Sequence, residues 1–467
     1  MSALLESLSQ IVGARQVLTA EADMAPHLKE WRNLFKGRAS AVVKPASTGE
    51  VAAILSLAHQ TGTPIVPQGG NTGLVGGQIP VAEGREIILS LARMDKVRAV
   101  EPSSDTIIVE AGVTLQRVQE AADAAGRLFP LSLASEGSCT IGGNLSTNAG
   151  GTAVIAYGNA RDLCLGLEVV LADGRIWNGL RTLRKDNTGY DLKNLFIGAE
   201  GTLGIITAAS LKLFPRPQSR ATAFLAVPDP GRALALLNLV KAEAGPALTT
   251  FELMPRFGLE VVVRHAAGAR DPLSAPSPWM VLMELSSPRA AGLDATLETL
   301  LETALEQGLV TDAAIAASEA QRRALWRIRE AMSEVQGYEG GSIKHDVSVP
   351  VASVPAFLAR GIALVEAMAP GCRPLPFGHL GDGNIHFNVS QPVGADKEAF
   401  LALWGDMNEA VHGLVREFGG SISAEHGIGR LKRHLLASVK DPVELAMMRA
   451  IKATLDPSGI LNPGSVL

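Results

Sequence analysis

Two short C-terminal segments concentrate side chains that could bind a metal or move a proton. The chain has nine histidines. Three of them fall in Pro376-Phe377-Gly378-His379-Leu380-Gly381-Asp382-Gly383-Asn384-Ile385-His386-Phe387-Asn388-Val389 and in Ser423-Ala424-Glu425-His426-Gly427-Ile428-Gly429-Arg430. Read as a loop and then a strand, the first segment puts Asn384, His386 and Asn388 on one face, because strand side chains alternate with period two. The Gly-Asp-Gly turn after His379 is expected to fold that imidazole back beside them. In the second segment, adjacent Glu425 and His426 cannot point the same way on extended backbone. They are expected to flank a site, one as ligand and one as base. Two histidines and one carboxylate are a common set for a divalent transition metal with open coordination positions. The spacing matches no standard zinc motif, and ordinary hydrogen-bonded histidines are the competing reading.

A small anionic substrate would need cations near such a centre. Ala324 to Ser333 reads as helix, and Arg329 and Ser333, four residues apart, share a face. Lys344 lies in Gly341-Ser342-Ile343-Lys344-His345-Asp346-Val347, a strand candidate. For a lone helical arginine the default is a solvated charge, so the pattern by itself does not assign these residues.

A different chemistry is suggested near the start of the chain. Pro67-Gln68-Gly69-Gly70-Asn71-Thr72-Gly73-Leu74-Val75-Gly76-Gly77 follows a strand candidate and holds five glycines. Glycine permits positive φ and lets backbone N–H groups approach an anion closely, which a diphosphate requires. A flexible surface loop is the alternative, though such loops rarely concentrate glycine. Neither a G-x-G-x-x-G fingerprint nor a P-loop lysine is present, which argues against a nicotinamide or Walker site. A second stretch, Glu136 to Gly151, mixes glycines with small hydroxyls and amides suited to a polar ring system and a ribityl chain.

The elements around these loops read as mixed α/β from 41 to 217. Strands are expected at AVVKP, TPIVP, EIILS, TIIVEAG, LEVVLADG and GIITAASLKLF. STGEVAAILSLAHQTG reads as a helix capped by Ser47 or Thr48 and ended by Gly62. After Phe214 two prolines precede Ala/Leu-rich helical patterns alternating with apolar strands such as WMVLMEL. The expected domains are a helical arm at 1–37, a cofactor domain at 38–217, a substrate domain at 218–430 and a returning tail at 431–467.

The chain's 467 residues, 47% hydrophobic and 19% charged, describe a multi-domain globular protein. A net charge of −5 and 4% aromatics disfavour nucleic acid as a partner. The odd count of three cysteines argues against a disulfide framework. No secretion signal and no run of about 18 apolar residues is expected, so the cytoplasm is the default location.

PxGGxTxLxGG, GSCTIGGNLSTNAGG, YGNARD, GTLGIITAASLKLFPRP and DPSGILNPG occur in this order. The ordered set, spanning about Val42 to Gly464, resembles the PCMH-type, vanillyl-alcohol-oxidase-like FAD family, specifically its D-2-hydroxyacid dehydrogenase branch. The resemblance implies an α+β architecture: a two-part FAD-binding domain plus an α+β cap. It implies that Pro67, Gly69, Gly70, Asn71, Thr72, Gly73, Leu74, Gly76 and Gly77 hold the diphosphate. Ser138, Thr140, Gly143, Asn148 and Gly151 would form the second FAD loop, with Gly201, Thr202, Gly204, Ile206 and Asn462 further along. Covalent relatives often carry a tethering histidine or cysteine; the first loop has Asn71 and neither of these, and Cys139 in the second loop is the only candidate nearby, so the FAD is expected to be non-covalent. The same resemblance makes His379, His386 and Glu425 ligands of Zn2+ (Mn2+ or Fe2+ as alternatives), His426 the base, and Arg329, Ser333, Lys344 and Asn388 the substrate contacts. The implied reaction oxidises a D-2-hydroxyacid such as D-2-hydroxyglutarate, D-malate or D-lactate, passing hydride to flavin N5. An electron-transfer flavoprotein, a quinone or a cytochrome would then accept the electrons, and a homodimer is compatible with all of this. The competing readings are an oxygen-using oxidase of the same fold, a relative making ether lipids, and a non-catalytic FAD-binding subunit.

Overall fold

The computed structural model describes residues 3–81 and 83–467. The chain divides into two compact units. The first comprises 1–150, 158–216 and 425–467, and the second 151–157 and 217–424. The sequence-based return point at 431 thus lies beyond Ala424, the last residue of the second unit, and the short excursion at 151–157 had no counterpart in the sequence reading.

In the first unit, Ala41–Val43, Ile87–Ser90 and Ile65–Gln68 form a parallel core sheet, extended by Val17–Leu18 running antiparallel. The runs AVV and IILS are buried throughout, as expected of parallel strands covered on both faces. The helix Thr48–Thr61 packs on them through Val51, Ile54, Leu55 and Ala58, the i, i+3, i+4, i+7 spacing of a single helical stripe. Ser47 Oγ accepts from Glu50 N at 3.2 Å and Gly62 ends the helix at φ 64°, so both expected stops are used. A second sheet, antiparallel throughout, runs in the order Val97–Glu101, Thr106–Glu110, Ile205–Lys212, Cys164–Val170, Ile176–Gly179.

The second unit is built on one antiparallel sheet, ordered Asp312–Ile315, Ser219–Val227, Trp279–Ser287, Leu248–Pro255, Arg373–His379, Asn384–Ser390, Ser342–Ile343, with Asp346–Ser348 also pairing Asn384–Ser390. The helix Glu319–Val335 covers it with Leu325, Ile328, Met332 and Val335 against Phe224, Met254, Leu282 and Phe377. The architecture is α+β in both units.

Three local expectations change. Pro376 to His379 is strand, not loop: Arg373–His379 and Asn384–Ser390 make a tight hairpin in which His379 pairs with Asn384 and Phe377 with His386. Lys344 lies between the strands Ser342–Ile343 and Asp346–Ser348 instead of within one. The segment Val351–Met368 reaches a mean hydropathy of 1.5 over 18 residues, so one run is as apolar as a span after all. Its Phe357 packs edge-on against Phe387 and Phe418, at 5.7 and 5.9 Å between ring centroids, which accounts for the apolar face.

Candidate active site

Within the first unit, the four segments expected to bind FAD converge. Pro67 ends the strand Ile65–Gln68, and the glycine loop that follows presses against the second loop. A Cβ on Gly69 would lie 2.3 Å from Thr140 Oγ1, and one on Gly70 would lie 1.8 Å from the carbonyl oxygen of Ser138. Glycine is therefore required here chiefly for close approach. In this loop only Gly76, at φ 74°, and Asn71, at φ 55°, adopt positive φ. Leu74 accepts a hydrogen bond from the Arg32 guanidinium, and next to Thr72 the Gly73 carbonyl accepts from Gln78 Nε2 at 2.8 Å. Asn71 turns its amide away, donating to the carbonyls of Pro26 and Lys29 at 3.1 and 2.9 Å, so its side-chain nitrogen ties the N-terminal arm to the loop.

Thr140 stands at the N-terminus of the helix Ile141–Ser146 without capping it, and Gly143 lies on that helix's first turn. Asn148, at φ 52°, accepts from Arg161 N at 3.0 Å, and Gly151, at φ 111°, opens the excursion into the second unit. Gly201 sits against Pro67, where a Cβ would meet Cγ at 2.4 Å. Thr202 donates to Ala199 O at 2.6 Å and accepts from Lys452 Nζ at 2.7 Å. Gly204 packs under Val169 and Phe196, and Ile206 is buried in the strand Ile205–Lys212. The tail closes the set: Asn462 N donates to Ile65 O at 2.8 Å and its amide to Glu200 O at 2.8 Å.

Several buried polar atoms in this region have no partner among the described residues, including Asn71 Oδ1, Thr140 Oγ1, Asn462 Oδ1 and Ser465 Oγ. Burying such groups unpaired costs free energy, and a polar elongated ligand would satisfy them. The site therefore fits a dinucleotide such as FAD. Ser465 was not expected from the sequence. It lies within reach of Gly77, where a Cβ would be 3.8 Å from its hydroxyl, and the terminal Gly-Ser-Val-Leu offers no pattern to mark it.

In the second unit, the hairpin brings His379 and His386 together, with ring centroids 5.6 Å apart and planes at 79°. His379 Nδ1 meets Glu252 Oε1 at 2.5 Å, which leaves Nε2 as its outward ligand atom. Asp346 stands directly across from His386 in the neighbouring strand, 3.9 Å from its Nδ1. An imidazole held by a carboxylate at one nitrogen is the usual support of a metal-ligating histidine, so this donor set fits a divalent metal.

Glu252 is fully buried, on the strand Leu248–Pro255 beside His379. Its other oxygen, Oε2, accepts from Arg329 Nε at 2.6 Å. Burial pushes this carboxyl up, but the facing His379 and Arg329 charges outweigh burial and bring it from 4.5 down to about 2. Arg329 is thus no solvated charge. It is buried, stacked over Phe377 at 4.7 Å, and fixed by one carboxylate shared with His379. Ser333, one turn on, is exposed, and its carbonyl lies 3.5 Å from the Lys344 ammonium. Asn388 is buried with its amide donating to Gln336 Oε1 at 2.9 Å, while Gln336 Nε2 donates to Ser390 Oγ at 3.0 Å. His345 is buried with Nδ1 2.6 Å from Phe387 O, a structural role the sequence left open. Glu252 and Gln336 escaped sequence reading because their partners are far away in the chain. The one available sign was a lone carboxylate in the apolar run Leu248-Thr249-Thr250-Phe251-Glu252-Leu253-Met254.

Glu425 and His426 open the last part of the first unit. The Glu425 carboxylate lies over the second FAD loop, where a Cβ on Gly150 would meet its Oε1 at 2.7 Å. Beyond His426 the backbone locks onto the glycine loop: Arg430 N and Leu431 N donate to Val75 O at 2.9 and 3.1 Å.

Residues 39–179 match the FAD binding domain family, and residues 216–466 match the C-terminal domain of FAD linked oxidases. The chain is 40% identical to the mitochondrial D-2-hydroxyglutarate dehydrogenase of Bos taurus, over 99% of this chain and 83% of that one. It is 38% identical to the D-2-hydroxyglutarate dehydrogenase of Xanthomonas citri pv. viticola, over 98% and 96%. Among solved structures it is similar to alkyldihydroxyacetonephosphate synthase, with a TM-score of 0.76 at 18% identity over 99% of this chain and 86% of that one. It is also similar to p-cresol methylhydroxylase, with a TM-score of 0.76 at 17% identity over 99% and 96%. These two likenesses concern the PCMH-type fold alone.

Proposed function

This chain belongs to the FAD-linked oxidases and is an FAD-dependent D-2-hydroxyacid dehydrogenase, and from that premise we propose how it holds and oxidises its substrate. In this reading His379, His386 and Glu425 hold a divalent metal, zinc ahead of manganese or iron. The substrate is a D-2-hydroxy dicarboxylate, D-2-hydroxyglutarate or D-malate, ahead of D-lactate. The observation that carries the reading is the buried chain Arg329–Glu252–His379, which links a candidate carboxylate clamp to a candidate metal ligand through one side chain.

When bound, FAD supplies the hydride acceptor at N5, and the metal supplies a Lewis acid that acidifies the substrate hydroxyl. Glu252 holds His379 at Nδ1, so only Nε2 is offered, with its orientation fixed. Engaged at Nε, Arg329 keeps its Nη groups for a planar, two-pronged grip on a carboxylate. Lys344 and Ser333, one turn along the same helix face, place a second and more exposed cation for a second carboxylate. This split between a buried and an exposed cation favours a dicarboxylate over lactate. Asn388 contacts the substrate with its amide plane set by Gln336. His426 takes the hydroxyl proton as general base, and the product is the 2-oxoacid. An electron-transfer flavoprotein, a quinone or a cytochrome then reoxidises the enzyme.

The test is a panel of D- and L-2-hydroxyacids with a dye acceptor. The highest kcat/KM is expected for D-2-hydroxyglutarate or D-malate. A preference for L-acids, or for D-lactate over both dicarboxylates, would overturn the substrate assignment.

A further inference from the structure

One buried carboxylate of the FAD-binding unit takes no part in the scheme above, yet it holds the backbone that follows the base. Glu200 is buried and adopts φ 51°, a conformation rare for a residue with a side chain. Its own backbone is fixed on both sides: its N–H donates to Ser146 O at 2.8 Å and its carbonyl accepts from the Asn462 amide at 2.8 Å. From that anchored position the side chain reaches Gly427-Ile428-Gly429. Oε1 accepts from Ile428 N at 2.7 Å and Oε2 from Gly429 N at 2.9 Å. Gly427 and Gly429 have φ of 82° and 49°, so the backbone curls its successive N–H groups inward around one anion. The fit is tight, since a Cβ on Gly427 would lie 2.6 Å from Glu200 Oε1. Gly77 of the glycine loop closes the other side, where a Cβ would be 3.2 Å from Oε2.

Such concavities of backbone N–H groups usually receive a ligand's anion. Here the anion is internal. We propose that Glu200 is a positioning residue for the oxidation, clamping the turn immediately after His426 to the FAD loops so that the base is delivered at a fixed place relative to the cofactor segments. The inference rests on the reading of His426 as the base.

Charge matters to the clamp because two N–H groups meet two different oxygens. A carboxylate accepts both. A protonated acid, or a glutamine, presents a donor to one of them and loses that bond. Burial pushes the Glu200 carboxyl up to about 7, only partly countered by the Ile428 and Gly429 N–H groups and by the Lys432 charge. Lys432 is the charged group facing it from the turn that follows, while Gly77, Ser146 and Asn462 bring no titratable side chain from the other three segments. The grip should therefore tighten as the pH rises through neutrality.

The experiment compares purified holoenzyme with Glu200→Gln and Glu200→Asp, measuring flavin content, KM and kcat per bound flavin from pH 5.5 to 9. Displacing a reacting group by about 1 Å costs about 100-fold in rate, so Glu200→Gln should lower kcat by roughly 10- to 100-fold. KM should stay within about threefold, and the part of the kcat rise near neutral pH that Glu200 contributes should be lost, leaving only the ionisation of the base. Glu200→Asp keeps both carboxylate oxygens one methylene short and should recover part of kcat and of the pH-dependent rise. It also serves should the glutamine variant fail to fold. Wild-type kcat and pH profile in Glu200→Gln would overturn the proposal, as would a loss explained wholly by lost flavin. Glu200→Asp no better than Glu200→Gln would do the same. A parallel His426→Ala enzyme separates the two levels: wild-type turnover there removes the base assignment itself, whereas a dead His426→Ala beside a normal Glu200→Gln removes only the clamp.

Discussion

Replacing Glu252 with glutamine tests the polar centre of the second unit most directly. The substitution keeps the shape of the side chain and removes its charge. Glu252 is fully buried and bonded to Arg329 Nε at 2.6 Å and His379 Nδ1 at 2.5 Å. Removing one partner of a buried ion pair costs about 3–5 kcal/mol, because the other charge is left uncompensated. The lowered pKa points the same way, since against burial the Arg329 charge favours the ionised carboxylate in the folded protein. Glutamine's oxygen can still accept one hydrogen bond, worth about 1 kcal/mol, so a net loss of about 2–4 kcal/mol is expected. For a unit of this size that lowers the thermal midpoint by roughly 4–16 °C. Because the folded pKa lies below the unfolded one, this stabilisation is present above pH 4.5 and is lost as the pH falls toward 2. The wild type should therefore lose its advantage over Glu252→Gln in acid. The assay is calorimetry of both proteins at pH 7 and in steps down toward pH 2, with metal content and substrate titration of the flavin spectrum on the pH 7 samples. Loss of the carboxylate behind a ligating histidine should weaken metal binding about 10- to 100-fold. A Glu252→Gln protein with an unchanged midpoint, metal content and substrate affinity would refute the reasoning.

Exhaustive chelation should abolish dye reduction while the yellow flavin stays bound, and metal-free protein at full activity would exclude a metal role. His426→Ala should reduce kcat by roughly 10²- to 10⁴-fold, as loss of a general base does, with flavin content unchanged. Gly70→Ala places a methyl 1.8 Å from the Ser138 carbonyl, so it should purify largely without flavin, as absorbance would show. Acid denaturation should release flavin from the chain into the supernatant. Colour remaining on the precipitated protein would contradict non-covalent binding.

Sequence pattern exposed the local parts of this molecule well. Ser47 and Gly62 bound their helix as their chemistry requires, and the period-two alternation of Asn384, His386 and Asn388 is realised in one strand. The glycine loop was recognisable, but its reason was not. Sequence suggested freedom of φ, whereas Gly69 and Gly70 serve to let Thr140 and Ser138 come within contact. What stayed hidden depends on partners remote in sequence. Arg329 read as a solvated helical charge because nothing near it in the chain shows Glu252. Glu200 stands one residue before the motif GTLGIITAASLKLFPRP, whose glycines drew attention away from its carboxylate. Lys344 read as part of a strand, although the chain breaks there between two short strands. Period and propensity describe a residue's own segment, and these three are defined by another.

The order in which the chain is made has a consequence for the site. The strand Ile65–Gln68 that leads into the glycine loop bridges to Leu461, and Ile65 exchanges hydrogen bonds with Ile460 and Asn462. On the ribosome, the second unit's long segment, 217–424, is released complete while the first unit still lacks 425–467. The cofactor loops are synthesised early, but their closing residues follow the whole of the second unit's long segment. Vectorial synthesis thus favours a nascent chain whose second unit is folded before the first can retain a cofactor. Clipping the C-terminus beyond Leu455 would then leave an intact second unit attached to a colourless protein.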